Sequence, residues 1–159
     1  MTGHLPFISI ITPTFNRADE LKYLYHSLKE QSFDMSLVEF IISDDGSVDE
    51  TESMVKKWQD ESPFQIKFIT QKNQGPGAAR NHGLENAIGE LILFIDSDCE
   101  AHPDWINIIV NEYQQNTFDA CGGPDGGKDD FTTLQKAIDF TMTSFFTTGG
   151  MRGHSEKMM

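Results

Sequence analysis

Short apolar runs alternate with helical patterns along most of this 159-residue chain, and this alternation constrains the fold more than any other feature. Four runs rich in β-branched and aromatic residues predict strands, at residues 7–12, 38–43, 65–70 and 90–95. Helices are predicted in the segments that follow them, at residues 18–31 and 48–58 from apolar spacing, at 78–87 from a small-residue face and at 103–113 after Pro103. Strands that alternate with helices predict an α/β fold, with a Rossmann-like, mostly parallel sheet and helices on both faces.

Several local signals refine these elements. Ser47 and Glu50 fit a capping box at the start of the second helix, whose inward side chains are then Val48, Thr51, Val55 and Trp58. Gly89 is expected to stop the third helix. Residues 119–123 are a candidate fifth strand, and residues 131–146 carry a stripe of apolar side chains at helical spacing.

Length and composition limit the classes of function. We expect one domain over residues 1–159, since chains of this length suit a single core. The formal net charge of −13 repels phosphate backbones and argues against a nucleic-acid partner. Cys99 and Cys121 lack metal-binding spacing, which favours reduced thiols. The N-terminus has no signal-peptide pattern and the longest apolar run, LILFI, is too short to cross a bilayer, so we expect a cytoplasmic location.

The segments that end the predicted strands carry the candidate chemistry. In open parallel sheets, ligands bind outside the carboxyl ends of the strands. The sequences at those ends are PTFNR, DDGS, QGPGAARN and DSD. We therefore look for function in these four segments.

Asp96 and Asp98 stand at positions i and i+2, which places both carboxylates on one side of an extended strand end. Two such carboxylates can share a hard cation such as Mg²⁺ or Mn²⁺. One could instead bind the metal while the other orients a sugar hydroxyl, and a solvated acidic loop is a further alternative. His102 is either a third ligand or a loop residue.

The other segments leave alternatives open. Asp44 and Asp45 can form a turn and cap the next helix, or one of them can accept a hydrogen bond from a ligand. GPGAARN is similar to a dinucleotide fingerprint, but Arg80 stands where that motif has its third glycine. Arg80 is therefore either a helix-surface residue or a cation that offsets the nearby carboxylates or meets a phosphate. Phe15 can belong to the core or support a planar base.

Three segments in order carry a specific resemblance. ISIITPTFNR, EFIISDDGSVDET and NQGPGAARNHGLENAIGELILFIDSD resemble the donor-binding part of family 2 glycosyltransferases with the GT-A fold. The resemblance covers about residues 6–115. It implies nucleotide-sugar binding by Pro13, Phe15, Asp44, Asp45, Arg80, Asp96 and Ser97, and metal binding by Asp98.

The resemblance also implies individual roles. The loop with Pro13 and Phe15 would line the nucleobase and ribose pocket, and Asp45 would accept the uracil N–H. Asp96 would lie nearer the donor sugar, while Asp98 would ligate Mn²⁺ or Mg²⁺ on the donor diphosphate. The expected function is metal-dependent, inverting sugar transfer from a nucleoside-diphosphate donor, with UDP-sugars as first candidates, to a carbohydrate or lipid-linked acceptor.

The sequence departs from the family pattern after Cys121. No Glu-Asp pair and no QxxRW-type motif follows, so the catalytic base is unknown. We expect a chain truncated before the acceptor-binding part, with residues 131–146 packing against that part, the cytoplasmic membrane face or a second copy. A non-catalytic nucleotide-sugar-binding or interaction module is an alternative. A sugar-nucleotidyltransferase is another, although PTFNR lacks the glycines of its phosphate loop.

Overall fold

The computed structural model describes residues 4–115, Ala120, Gly122 and residues 132–134. Contacts between Cα atoms divide the chain into two compact units, residues 1–117 and 118–159. The elements defined below all lie in the first unit. One domain over residues 1–159 remains a prediction, as do the fifth strand and the apolar helix at 131–146, which fall mostly outside the described residues.

Strands and helices alternate in the first unit as predicted. The elements are β1 (Ile8–Thr14), α1 (Ala18–Lys29), a 3₁₀ turn (Met35–Leu37), β2 (Val38–Asp44), α2 (Thr51–Glu61), β3 (Gln65–Thr70), α3 (Pro76–Glu85), β4 (Leu91–Phe94) and α4 (Trp105–Gln115). The four strands form one sheet in the order β3-β2-β1-β4. Every pairing is parallel, so the carboxyl ends of the strands share one edge.

Helices cover both faces of this sheet, which confirms the predicted architecture. On one face, buried residues of β1 and β2 such as Ile10 and Phe40 join side chains of α1, α2 and α4 in a single apolar cluster. Tyr25 and Trp58 stack within that cluster, with ring centroids 4.2 Å apart. On the other face, α3 packs closely against β1, and a Cβ at Gly83 would stand 2.4 Å from Ile11 Cγ2.

The predicted capping box at the second helix is wrong. Helix α2 begins at Thr51, and its N-cap Glu50 makes no side-chain capping bond. Asp49 supplies hydrogen bonds at the start of the helix instead. Its Oδ1 accepts from the Thr51 N–H at 3.1 Å and from Thr51 Oγ1 at 2.6 Å. Val48 precedes the helix and is 90% exposed, so it does not face inward. Thr51, Val55 and Trp58 are buried as expected.

The third helix, α3, also begins and ends at other residues than predicted. It begins at Pro76, whose fixed φ suits a first helical position, and it ends at Glu85, before Gly89. Gly89 serves a close approach instead of a helix stop. A Cβ there would lie 2.4 Å from the Ser9 backbone N, and the Gly89 N–H donates to Ser9 Oγ at 2.8 Å. Within the described residues, no helix is long and apolar enough to cross a membrane.

Candidate functional site

A cleft of about 560 Å³ opens at the carboxyl edge of the sheet. It brings together all but one of the predicted site residues, namely Pro13, Phe15, Asp45, Arg80, Asp96, Ser97 and Asp98. Thr14, Arg17, Asn73, Gly75, Pro76 and Ala79 complete the lining. The loops after β1, β2, β3 and β4 thus contribute to one cavity, as parallel pairing predicts.

Asp45 lies at the junction of β2 with the loop before α3, and only 3% of the residue is exposed. Its Oδ1 accepts from Gln71 Nε2 at 2.8 Å and from the Gln74 N–H at 2.9 Å, while its Oδ2 accepts from the Gly75 N–H at 2.7 Å. Burial alone would raise the pKa of Asp45, but these hydrogen bonds outweigh it and hold the pKa below its ordinary value. Asp45 is therefore ionised at neutral pH and remains a hydrogen-bond acceptor in the cleft.

Asp44 lies beneath the cleft and does not line it. Its Oδ2 accepts from the Gly46 and Ser47 N–H groups at 3.2 and 3.0 Å and from Thr70 Oγ1 at 3.1 Å. These bonds shape the DDGS turn, which reaches a positive φ of 85° at Gly46. Contact between Asp44 and a nucleotide stays a prediction.

The loop after β1 presents Phe15 to the cleft, with 44% of the residue exposed. The next residue, Asn16, has a φ of 52°, a conformation that asparagine tolerates better than most residues. Its Oδ1 accepts from the Val48 N–H and its own N–H donates to Ser47 Oγ, both at 2.8 Å. The loops after β1 and β2 are thereby tied to each other beside Phe15.

Helix α3 starts at the rim of the cleft. Gly75, with a φ of 93°, turns the chain into the helix and leaves its N–H free to bond Asp45. One turn later, Arg80 extends into the cleft and pairs with Asp96, with 2.5 Å between Nη2 and Oδ1. The positive end of a helix and an arginine thus face the same volume, which favours an anionic ligand.

The acidic pair after β4 is open to solvent, as the side chains of Asp96 and Asp98 are 55% and 52% exposed. Asp98 Oδ2 lies 3.0 Å from Nη1 of Arg17, a residue that the sequence analysis did not single out. The available signal was an arginine in PTFNR, at the same sheet edge as two aspartates. His102 is not among the residues that line the cleft, and its Nδ1 accepts from the Asp104 N–H at 3.2 Å.

The two exposed carboxylates of the cleft, Asp96 and Asp98, offer a hard divalent cation a partial set of ligands, which the oxygens of an anionic ligand would complete. Within the described residues, no group of three or more His, Cys, Asp and Glu side chains could hold a metal ion. Mg²⁺, however, is commonly bound by one or two carboxylates plus substrate phosphates. The charged lining residues are two arginines and three aspartates, a balance of −1 that a divalent cation would change to +1.

A comparison with protein families decides the relationship. The model of glycosyl transferase family 2 matches residues 9–158. This chain belongs to glycosyl transferase family 2. The resemblance inferred from PTFNR, DDGS, GPGAARN and DSD is confirmed.

Curated members of family 2 are similar over most of this chain. Glycosyltransferase AglE of Haloferax volcanii is 31% identical over 146 residues, which cover 85% of this chain and 48% of AglE. The GalNAc(5)-diNAcBac-PP-undecaprenol beta-1,3-glucosyltransferase of Campylobacter jejuni is 35% identical over 122 residues, which cover 74% of this chain and 38% of that protein. The chain thus spans half or less of the length of these relatives.

Solved structures share the GT-A fold of this family 2 chain, which confirms the predicted fold class. TarS of Staphylococcus aureus in complex with UDP-GlcNAc superposes with a TM-score of 0.64 at 28% identity, covering 74% of this chain and 37% of TarS. A mannosyltransferase of Pyrobaculum calidifontis in complex with GDP-Man and Mn²⁺ gives a TM-score of 0.61 at 25% identity, covering 67% of this chain and 31% of that one.

Proposed function

We propose that this chain is the donor- and metal-binding part of a metal-dependent, inverting glycosyltransferase. The donor is a nucleoside-diphosphate sugar, with UDP-sugars as the first candidates. One observation carries the proposal: a single cleft unites a buried acceptor, Asp45, with an arginine, Arg80, and an exposed carboxylate pair, Asp96 and Asp98. The complexes of related proteins with UDP-GlcNAc and with GDP-Man and Mn²⁺ support this class of donor.

The base end of the donor fits the buried side of the cleft. Phe15 offers an exposed ring for a planar base beside Pro13. Asp45, ionised and held by three hydrogen bonds, accepts an N–H of the base. Because two of its bonds come from the backbone of the loop before α3, a bound base is coupled to the position of that loop.

The diphosphate end fits the side with the arginines and the acidic pair. Asp98 ligates Mn²⁺ or Mg²⁺ together with the diphosphate, and Asp96 with Ser97 lies nearer the sugar. When bound, the metal neutralises the charge that develops on the leaving nucleoside diphosphate. Arg80 and the positive end of α3 face the same anion.

No residue is proposed for the activation of the acceptor. Inversion requires direct displacement at the anomeric carbon, with a carboxylate that removes the proton of the acceptor hydroxyl. We assign no residue to this base. The acceptor is a carbohydrate or a lipid-linked glycan at the cytoplasmic membrane face, and the undecaprenol in the name of the Campylobacter jejuni relative favours a lipid-linked one.

Calorimetric titration with UDP and GDP, with and without Mn²⁺, tests this proposal. We expect Mn²⁺ to strengthen nucleotide binding, and Asp98→Ala to abolish that effect. Asp60→Ala is a matched control, since Asp60 is an exposed carboxylate of α2 outside the cleft. Equal nucleotide affinities with and without Mn²⁺ would refute the metal assignment.

A further inference from the structure

Arg17 occupies a fixed position at the mouth of the cleft. It is the N-cap of α1, and its carbonyl accepts from the Leu21 N–H at 3.0 Å. The next N–H, of Ala18, donates to Asp49 Oδ2 at 3.0 Å. The backbone of Arg17 is thus anchored at two adjacent points, while its side chain, 47% exposed, reaches Asp98.

We infer that Arg17 changes partners during donor binding: it pairs with Asp98 in the free site and with the donor diphosphate once Asp98 ligates the metal. This inference rests on the proposed function and adds a residue to it. Asp98 Oδ2 accepts a hydrogen bond from Arg17 Nη1 at 3.0 Å, so the same oxygen cannot serve a cation freely while that bond persists. Metal binding therefore competes with Arg17.

The exchange is energetically easy in the free site. Both side chains are about half exposed, and an ion pair of this exposure shifts an equilibrium by about five-fold at most. Glu20, whose Oε1 lies 3.8 Å from Arg17 Nη1, offers the guanidinium a second resting partner. The Asp98 carboxylate interacts more favourably with a divalent cation that it ligates than with a half-solvated arginine, so the cation displaces Arg17.

The released guanidinium then faces an anion. Arg17 lines the same cleft as Arg80, whose own partner is Asp96. Arginine can bind phosphate through two parallel N–H bonds. The anchored backbone of Arg17 keeps its guanidinium within reach of the cleft. The two arginines would thus differ in use: Arg80 faces the anion while it stays paired with Asp96, whereas Arg17 exchanges Asp98 for a phosphate.

Partner exchange predicts effects of opposite sign in two titrations. Without nucleotide, Arg17→Gln removes a competitor of the metal, so Mn²⁺ should bind about two- to five-fold more tightly, the fold-change of a half-exposed ion pair. With saturating Mn²⁺, the same change removes a phosphate contact, so UDP should bind about ten-fold more weakly or worse. A residue that only stabilises the fold would not shift the two affinities in opposite directions.

The experiment measures Mn²⁺ binding to the full chain by electron paramagnetic resonance and UDP binding by calorimetry at saturating Mn²⁺. Lys22→Gln is the matched control, since it removes a positive charge from the same helix, where Lys22 pairs with Asp19 outside the cleft. Arg17→Lys keeps the charge but loses the paired donors, so it should recover part of the UDP affinity and leave Mn²⁺ binding close to wild type.

Opposite shifts in Arg17→Gln, absent from Lys22→Gln, would support the exchange. Unchanged or weaker Mn²⁺ binding, or unchanged UDP binding, would overturn it even if the metal site is real. A different result would refute the proposed function itself. In that case the wild-type chain and Asp98→Asn would bind Mn²⁺ with equal affinity, and the inference about Arg17 would be refuted as well. Thermal melts of both Arg17 variants check that the backbone anchors of α1 persist.

Discussion

The backbone N–H of Gly75 donates to Oδ2 of Asp45 at 2.7 Å, across a separation of 30 residues. This bond links the residue that follows β2 to the N-cap of α3, and both residues line the cleft. A residue proposed to recognise the base is therefore also one that holds the cleft together. Substitutions at Asp45 should affect both selectivity and stability.

Removal of the Asp45 carboxylate should relax the choice of base. We expect Asp45→Ala to lower the Mn²⁺-dependent affinity for UDP by about ten-fold, because a charged acceptor of the base N–H is lost. Affinities for UDP, CDP and GDP measured by calorimetry should become more alike. The control is Asp60→Ala, whose affinity ratios should match wild type. Unchanged ratios in Asp45→Ala would show that the base is recognised elsewhere.

Low pH should reduce the contribution of Asp45 to the stability of the fold. The pKa of Asp45 in the folded chain lies below its ordinary value of 3.8, so the unfolded chain binds more protons between the two pKa values. The stability that Asp45 contributes is therefore fully present above pH 3.8 and is lost as pH falls through the folded pKa. Thermal midpoints measured from pH 6 downwards should decline less steeply for Asp45→Asn than for wild type. Parallel curves would contradict this assignment.

Asn16 should be sensitive to substitution for two separable reasons. Asn16→Gly keeps the positive φ but loses the bond to the Val48 N–H, a cost of about 0.5–1.5 kcal/mol. Asn16→Ala loses the same bond and adds about 1–2 kcal/mol of left-handed strain. Urea denaturation should rank the free energies of unfolding as wild type, Gly, then Ala. Equal stabilities of the two variants would show that the backbone there relaxes freely.

Two glycines of α3 should respond oppositely to alanine. A Cβ at Gly83 meets Ile11 Cγ2 at 2.4 Å, whereas one at Gly77 meets nothing within 4 Å. We expect Gly83→Ala to destabilise the chain by about 1–3 kcal/mol through overpacking. Gly77→Ala should be neutral or stabilising, by up to about 1 kcal/mol. Chemical denaturation of the two variants measures the difference, and equal effects would refute the close packing of α3 on β1.

The strands and the acidic segments were predictable because their signals are local. From Ile8 and from Val38 onward, the runs FISIIT and VEFIIS are buried on both faces of a parallel sheet, so burial and β-propensity agree. Parallel connection then requires that the strand ends meet at one edge. The gathering of Asp45 and Asp98 in one cleft follows from topology, without knowledge of any single contact.

The errors arose where distant bonds override local ones. Ser47 was expected to cap α2, but its hydroxyl accepts from Asn16, 31 residues earlier. Arg17 carries no local signal of its role, because its partner Asp98 lies 81 residues away along the chain. A capping motif or a lone arginine can be read from a short window, whereas the competing partner belongs to another loop.

The bonds between Asn16 and the loop after β2 have a consequence for substrate range. They join the loops after β1 and β2 directly, through bonds that need no ligand. The loop before α3 is held to the end of β2 by the Asp45 carboxylate and by the Gln71 N–H, which donates to the Asp44 carbonyl at 2.9 Å. A substitution in that loop can shift its position against Asp45 while the bonds of Asn16 stay in place. Differences in donor choice among related sequences should therefore be sought between residues 71 and 76.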